Sequence, residues 1–509
     1  MRTPSREGPP AENAETARKQ APPLRASCRW RARTLRARFA LVKIRRVERS
    51  GRDFQRVPLR ALVAFGASGF AQNVVGTCLG VHLFIFYTDT VGLAPLWVSA
   101  GLFVATLCDA AANPIMGTVS DHTRGRFGRR RPYILLGAIP YGLFFALVLH
   151  PPERLAGAPL GLYLGAALVA LFTAANVVHV PVLGLIPEMA QSYHERTRMA
   201  AWREALGNIG DLVGLLLPFA LRWALSAPGR DGEVATRGAY ALTGTLGGGL
   251  AVLALLATWR GSYEDPRFQR AVSLPLRAGL AVVRRNQAFR VLAVASSLAG
   301  LSLAFSGSLG LYVLEHVVRV TDPIEQAGVF LANGIGALLS YPFWMWYSKR
   351  RGKAAAFRLG LFVSSLAFVA VFLLKPGAIA PLLAVMGGSG AANVGFWTLM
   401  VTLTADLADL DELETGERRE GLFAGFSSLL RKCAFALAAG AVGVGLAAIG
   451  YRQGAAEQTP ETVLGLKVLF AVPTTALVLV GWYAFRRFPL TPERWAEVAQ
   501  QLEQRRSAR

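Results

Sequence analysis

Charge is scarce in this chain of 509 residues. Only 17% are Asp, Glu, Lys or Arg, against 53% hydrophobic residues and a mean hydropathy of +0.37. A water-soluble domain of this size carries more charge, spread more evenly, so a soluble globular class is excluded. Cysteine is scarcer still. The four, Cys28, Cys78, Cys108 and Cys433, are scattered without metal-ligand spacing, so neither a zinc site nor a disulfide framework is expected. The chain has no glycine-rich nucleotide loop and no serine–histidine–acid arrangement. Glu315-His316 sets an acid beside a histidine, but at the end of a long apolar run. These absences speak against an enzyme, and no cofactor or metal is expected.

What the chain does have is apolar runs of roughly 20 residues, the length a helix needs to cross about 30 Å of hydrocarbon. Twelve are readable: Ala61–Thr88, Leu96–Val119, Tyr133–His150, Leu160–Leu185, Ala201–Leu225, Ala239–Trp259, Val291–His316, Ala327–Tyr347, Phe357–Leu374, Ala380–Thr404, Gly421–Ile449 and Val463–Phe485. In lipid each backbone polar group must be satisfied within its own segment, so these runs are expected to be helices. The fold class expected is an all-α membrane protein of twelve transmembrane helices. Its 52 glycines suit helices packed closely through small residues.

The net charge of +23 would suit a nucleic-acid partner, but its placement does not. Basic clusters fall at Arg124–Arg131, Arg196–Arg203, Arg260–Arg285, Lys349–Arg358, Arg418–Arg419 and both termini, while Thr88–Pro95 and His150–Pro159 hold almost no Lys or Arg. That alternation follows the positive-inside rule, with both termini cytoplasmic in a multi-pass protein of the cell inner membrane. The basic runs then set topology and meet anionic lipid rather than nucleic acid. Residues 1–56 hold sixteen Lys or Arg and no apolar run long enough for a signal peptide, and are expected to form a disordered basic arm or to reflect a start placed too far upstream. The N-terminal half is expected over 57–259, a cytoplasmic loop over 260–288, the C-terminal half over 289–487 and a tail over 488–509.

The halves echo each other. The basic connection Ser120–Arg131 after the second helix is answered by Ser348–Lys353 after the eighth. Two parallel six-helix repeats rocking about a central cavity is the arrangement of major facilitator transporters. A cytoplasmic gate is expected in which Arg124, Arg129, Arg130 and Arg131 meet Asp121 or Glu188 in one conformation and release them in another. The plainer alternative is that these arginines only anchor topology.

Ionisable residues inside membrane helices cost about 2.5–3.5 kcal/mol or more each and are usually functional. Asp109 and Asn113 lie four apart and share one helix face, and Pro114 frees a carbonyl beside them. Lys432 stands in apolar sequence and needs a partner, and Asp109 is the obvious one. The alternative role for the two is a structural ion pair.

The run Asp109-Ala-Ala-Ala-Asn113-Pro-Ile-Met-Gly117, with Ser120-Asp121 and Gly128-Arg-Arg-Arg-Pro132, resembles the signature of the glycoside-pentoside-hexuronide cation symporters of the major facilitator superfamily. Phe86-Tyr-Thr-Asp89, Val180–Glu188, Arg203, Gly395-Phe-Trp397, Asp406 with Asp411–Gly416, and Arg431-Lys432 continue the resemblance in order across residues 60–450. The resemblance implies that Asn73 and His179 stand where the family holds substrate- or cation-binding side chains, and that Arg203 and Trp397 line or gate a sugar cavity. Packing roles remain open for His179 and Trp397.

The departures matter too. Where sodium-using members have a second carboxylate one turn on, this chain has Asn113, and where melibiose permease-like members carry sugar-binding acids it has Asn73 and His179. Paired carboxylates favour a sodium ion held by oxygen ligands. The expectation is therefore a monomeric secondary transporter of a small solute such as a sugar, glycoside or uronide, coupled to protons or uncoupled. The alternatives are a carrier of an amphiphile such as a lysolipid and a transporter-like sensor that moves nothing.

Overall fold

The computed structural model describes residues 56–123, 128–190, 193–226, 232–264, 283–415, 420–455 and 457–489, with scattered positions between 494 and 504. The expected basic arm, most of the 260–288 loop, much of the tail and Arg124 lie outside the described residues. Twelve described helices are long and apolar enough to cross a membrane. They are α1 (Leu59–Ile85), α2 (Pro95–His122), α3 (Arg131–Val148), α4 (Gly157–Met189), α5 (Tyr193–Leu225), α6 (Gly232–Gly261), α7 (Gln287–Tyr312), α8 (Pro323–Arg351), α9 (Lys353–Val369), α10 (Ile379–Thr415), α11 (Glu420–Ala448) and α12 (Pro460–Phe485).

Local signals explain where several of them start. Proline stands in the first turn of α2, α3, α8 and α12, where its missing N–H has no intrahelical partner to lose. Asn286 caps α7 by accepting from the Phe289 amide at 2.9 Å, and Asp322 caps α8 by accepting from the Ile324 amide at 2.8 Å. Gly352, at φ 86°, turns the chain between α8 and α9. Several helices outrun the apolar runs that announced them: α5 begins at Tyr193 and α10 continues to Thr415. Hydropathy marks the stretch in hydrocarbon, whereas the backbone ladder continues until a cap or a breaker stops it.

The outer faces are what lipid requires. On α8, Leu338 is 69% and Leu339 73% exposed, a surface that would be an aggregation site in water. Inside, the helix pairing repeats. In the first six, α1 packs on α5 and α6, α2 on α4, and α3 on α4 and α6. With six added to every number the same pairs recur, α7 on α11 and α12, α8 on α10, and α9 on α10 and α12. The halves meet through α2–α11, α8–α5 and α1–α7, contacts that a twofold exchange of the halves maps onto one another. The sequence carries a trace of this repeat: Pro95, Pro114 and Ser120 of α2 recur 228 positions on as Pro323, Pro342 and Ser348 of α8.

One symmetric irregularity bears on function. Both α1 and α7, the first helices of the two halves, end in a π-helical turn, Phe86–Thr90 and Val313–Val318. Such turns redirect side chains and concentrate at functional positions.

Candidate transport site

At mid-depth, Asp109 of α2 and Lys432 of α11 meet across the two halves, Nζ to Oδ2 2.6 Å, with the side chains 14% and 29% exposed. Asn113 is not turned toward the carboxylate. Its Nδ2 donates to the backbone carbonyl of Asp109 at 3.0 Å, and Asn176 from α4 donates to the same oxygen at 3.1 Å. The carboxylate is thus held against a cation of the other half while two amides pin the backbone beneath it.

Asn73 lies on α1 and donates from Nδ2 to Asp211 Oδ2 of α5 at 2.9 Å. Thr77, one turn on, donates to Asp211 Oδ1 at 2.5 Å. Sequence reasoning missed Asp211, although an aspartate inside the apolar stretch Ile209–Phe219 was a visible signal. Arg203, two turns before it, donates to Gln72 Oε1 at 2.5 Å and lies 3.8 Å from Glu204. Arg203 therefore belongs to the α1–α5 seam.

His179 makes no hydrogen bond to these groups. Its ring meets Tyr141 of α3 edge-on at 5.3 Å, and both ring nitrogens are shielded without a protein partner. Trp397 of α10 packs against the apolar core of the second half, with the Arg431 guanidinium 5.9 Å from its ring centre. A cavity lies wholly in the second half, between α7, α8, α9, α10 and α12. It holds about 210 Å³, is lined mainly by apolar side chains such as Leu303, Phe330, Phe368 and Phe470, and touches none of the residues singled out in the sequence.

At the end of the bundle where α3 starts, Arg129 and Arg130 reach Glu188 Oε1 of α4 at 2.6 and 2.9 Å, and Arg130 also donates to the Gly184 carbonyl. Arg131 turns away, donating to the Trp259 carbonyl at 3.0 Å with its guanidinium over that indole. The backbone amides of Arg129, Arg130 and Arg131 all donate to the Glu264 carboxylate, at 2.5, 2.8 and 2.8 Å. Glu264, just past α6, thereby satisfies the orphan amides of α3, where the helix dipole also favours negative charge. Nothing in the local sequence marked it. The second half repeats the device, Lys353 at the start of α9 reaching Asp406 of α10 at 2.8 Å. These contacts run within a half. Asp121 lies in the last turn of α2, and its side chain falls outside the described residues.

The opposite end is sealed between the halves. Asp89, in the π-turn of α1, lies 3.1 Å from His316 Nε2 in the π-turn of α7 and 2.7 Å from the Tyr451 hydroxyl. Burial, reinforced by the Asp89 carboxylate, holds the Tyr451 phenol far above its usual range, so it stays protonated and donates. Thr88 and Tyr312 share a bond of 2.6 Å, and Gln326 of α8 links Glu315 at 2.9 Å to Arg222 of α5 at 3.3 Å. Phe219 stacks on Phe330 at 6.0 Å nearby. The Glu315-His316 pair, set aside in the sequence, is a centre of this closure.

Residues 64–492 match the family described as MFS/sugar transport protein. Among relatives, the chain is 24% identical to an isoprimeverose transporter of Lactiplantibacillus pentosus, over 78% of this chain and 81% of that one. It is 26% identical to a putative glycoside/cation symporter of Escherichia coli, over 88% and 95%. Among solved structures, a bacterial homologue of the human lysosomal transporter Spinster, captured inward-facing and occupied, superposes with a TM-score of 0.60 at 14% identity, covering 86% of this chain and 97% of that one, which shows the shared fold. Two six-helix halves, a charge pair between them at mid-depth and a closure at one end are the parts of a carrier, and the chain belongs to the MFS/sugar transport family of multi-pass membrane transporters.

Proposed function

We propose that this protein carries a sugar, glycoside or related small solute across the cell inner membrane by alternating access, as a monomer, driven by protons or uncoupled rather than by sodium. The observation that carries the reading is the Asp109–Lys432 pair, the mid-depth ionic contact between the halves. Asp109 is already neutralised by an ammonium, and Asn113 spends its amide on a backbone carbonyl, so the site lacks the paired carboxylates that favour sodium.

The Lys/Arg bias puts the Arg130 end in the cytoplasm, which makes the end sealed by Asp89, His316 and Tyr451 the outer one. The solute then meets Asn73, Asp109, Arg203 and Lys432 at or near mid-depth, with Trp397 as an aromatic face and His179 behind Tyr141. Arg129, Arg130 and Glu188 form the brace of the first half that must hold or re-form as the inner end closes, with Arg131 anchored on Trp259.

Uptake into proteoliposomes of a panel of glycosides, pentosides and uronides, in sodium and in potassium, is the test. Uptake of at least one of them, with the same KM in both salts, is expected. A sodium-dependent fall in KM of tenfold, about 1.4 kcal/mol of coupling, would overturn the coupling assignment. The apolar cavity of the second half supports the amphiphile reading instead. Competition by lysophosphatidylcholine with no glycoside transported would replace the sugar by a lipid.

A further inference from the structure

We propose that Asp211, bracketed by Asn73 and Thr77 on the seam between α1 and α5, is a proton-binding site. Its use in a transport cycle rests on the alternating-access reading above, but the site itself does not.

Asp109 and Asp211 are both carboxylates at mid-depth in a membrane helix, and their surroundings differ in one respect. Asp109 has an ammonium at 2.6 Å. Asp211 has two neutral donors, Asn73 Nδ2 at 2.9 Å and Thr77 Oγ1 at 2.5 Å, and among the described residues no cation within ion-pair distance. The helices packed on α5 bring no Lys or Arg to that depth, and α4, which also touches it, carries His179, set against Tyr141, and Glu188, held by Arg129 and Arg130. α1 carries its ionisable residues at Arg60, His82 and Asp89, α6 at Glu233, Arg237 and Arg260, and α8 at Glu325, Lys349, Arg350 and Arg351. On α5 itself Arg203 is engaged by Gln72, and Glu204, two turns before Asp211, is a like charge. An uncompensated carboxylate in this setting is relieved by taking up a proton, whereas one salt-bridged to lysine is not.

The partners suit both protonation states. Thr77 donates to the carboxylate and, by turning its hydroxyl, accepts from the acid, and the Asn73 amide offers a carbonyl as well as an NH₂ group. The seam also fixes the geometry. A Cβ at Gly69 would overlap the Arg203 carbonyl oxygen, and one at Gly214 the Val74 carbonyl oxygen, so the backbones of α1 and α5 are in direct contact on both sides of the cluster. All three residues belong to the first half. The site therefore survives a rocking motion of the halves, as a proton carrier's must.

The test needs no solute. Infrared difference spectra of the protein in lipid nanodiscs, recorded between alkaline and acidic pH, read the C=O band of a carboxyl group gaining its proton. A titrating band is expected in the wild type and in Asp109→Asn, and is lost in Asp211→Asn. Thr77→Val, which keeps the carboxyl and removes one bond to it, is expected to displace the midpoint of the band by about one pH unit, equivalent to 1.4 kcal/mol. It serves as the second variant should Asp211→Asn not fold. A band unchanged in Asp211→Asn or in Thr77→Val, or lost in Asp109→Asn instead, overturns the assignment. So does a band that sodium, and not potassium, displaces at constant pH. Failure of every glycoside in uptake assays leaves these spectra untouched, so the two readings fail separately.

Discussion

Removing Asp109 and Lys432 singly and together is the sharpest test of how the halves are joined. At 2.6 Å and an effective dielectric near 20, unit charges attract by roughly 6 kcal/mol. Placing each charge at the centre of a bilayer costs about 2.5–3.5 kcal/mol, or about 5–7 for the two. The terms nearly cancel, so the pair adds little net stability and the double variant Asp109→Asn/Lys432→Met should unfold within about 1–2 kcal/mol of the wild type. Each single variant strands one charge and should lose about 3 kcal/mol. Lys432→Met should be the worse, because the stranded Asp109 is 14% exposed on a short side chain, whereas Lys432 is 29% exposed on a stem that can reach toward water. The assay is a double-mutant cycle on the fraction surviving a graded heat pulse in nanodiscs, with solute exchange measured alongside. Single effects that add to the double within about 0.5 kcal/mol would show that the residues do not act as a pair, and the account of the interhalf contact would fail.

Four further outcomes follow from particular contacts. Glu264→Ala strips three backbone amides of their acceptor and should cost about 1–2 kcal/mol, with Glu264→Gln in between, and equal heat stability of all three proteins would remove the capping role. Gly390→Ala should cut folded yield severalfold, because its Cβ would overlap the Asn333 carbonyl oxygen, while Gly249→Ala, which meets nothing within 4 Å, serves as the tolerated control. Asp89→Asn with Tyr451→Phe should loosen the sealed end, read as faster labelling of a cysteine placed at Ser99, which is 2% exposed where α2 meets α11. An unchanged labelling rate would mean that other contacts hold that end shut. A cysteine at position 270 should resist impermeant reagents on intact cells, and strong labelling there would invert the topology.

The sequence alone determined the solvent in which this protein lives and the number of its crossings. A 20-residue apolar run has one stable backbone conformation in hydrocarbon, so each run read from hydropathy is a helix in the fold. It also exposed Asp109 and Lys432, since a charge embedded in apolar residues is conspicuous whatever it touches. Asp211 was equally visible and went unread, because what distinguishes it is the absence of a Lys or Arg at its depth on the neighbouring helices and the presence of Asn73, 138 positions away. Glu264 and the Glu315-His316 pair escaped for the same reason. A carboxylate that caps a helix from another element, or a histidine that meets an aspartate across 227 positions, leaves no periodicity behind. Only the tertiary structure decided that Asn113 faces a carbonyl, that His179 lies against Tyr141, and that the end of the bundle carrying Asp89 is closed. Those outcomes depend on how two six-helix repeats pack, and packing is a property of facing surfaces that no single helix encodes.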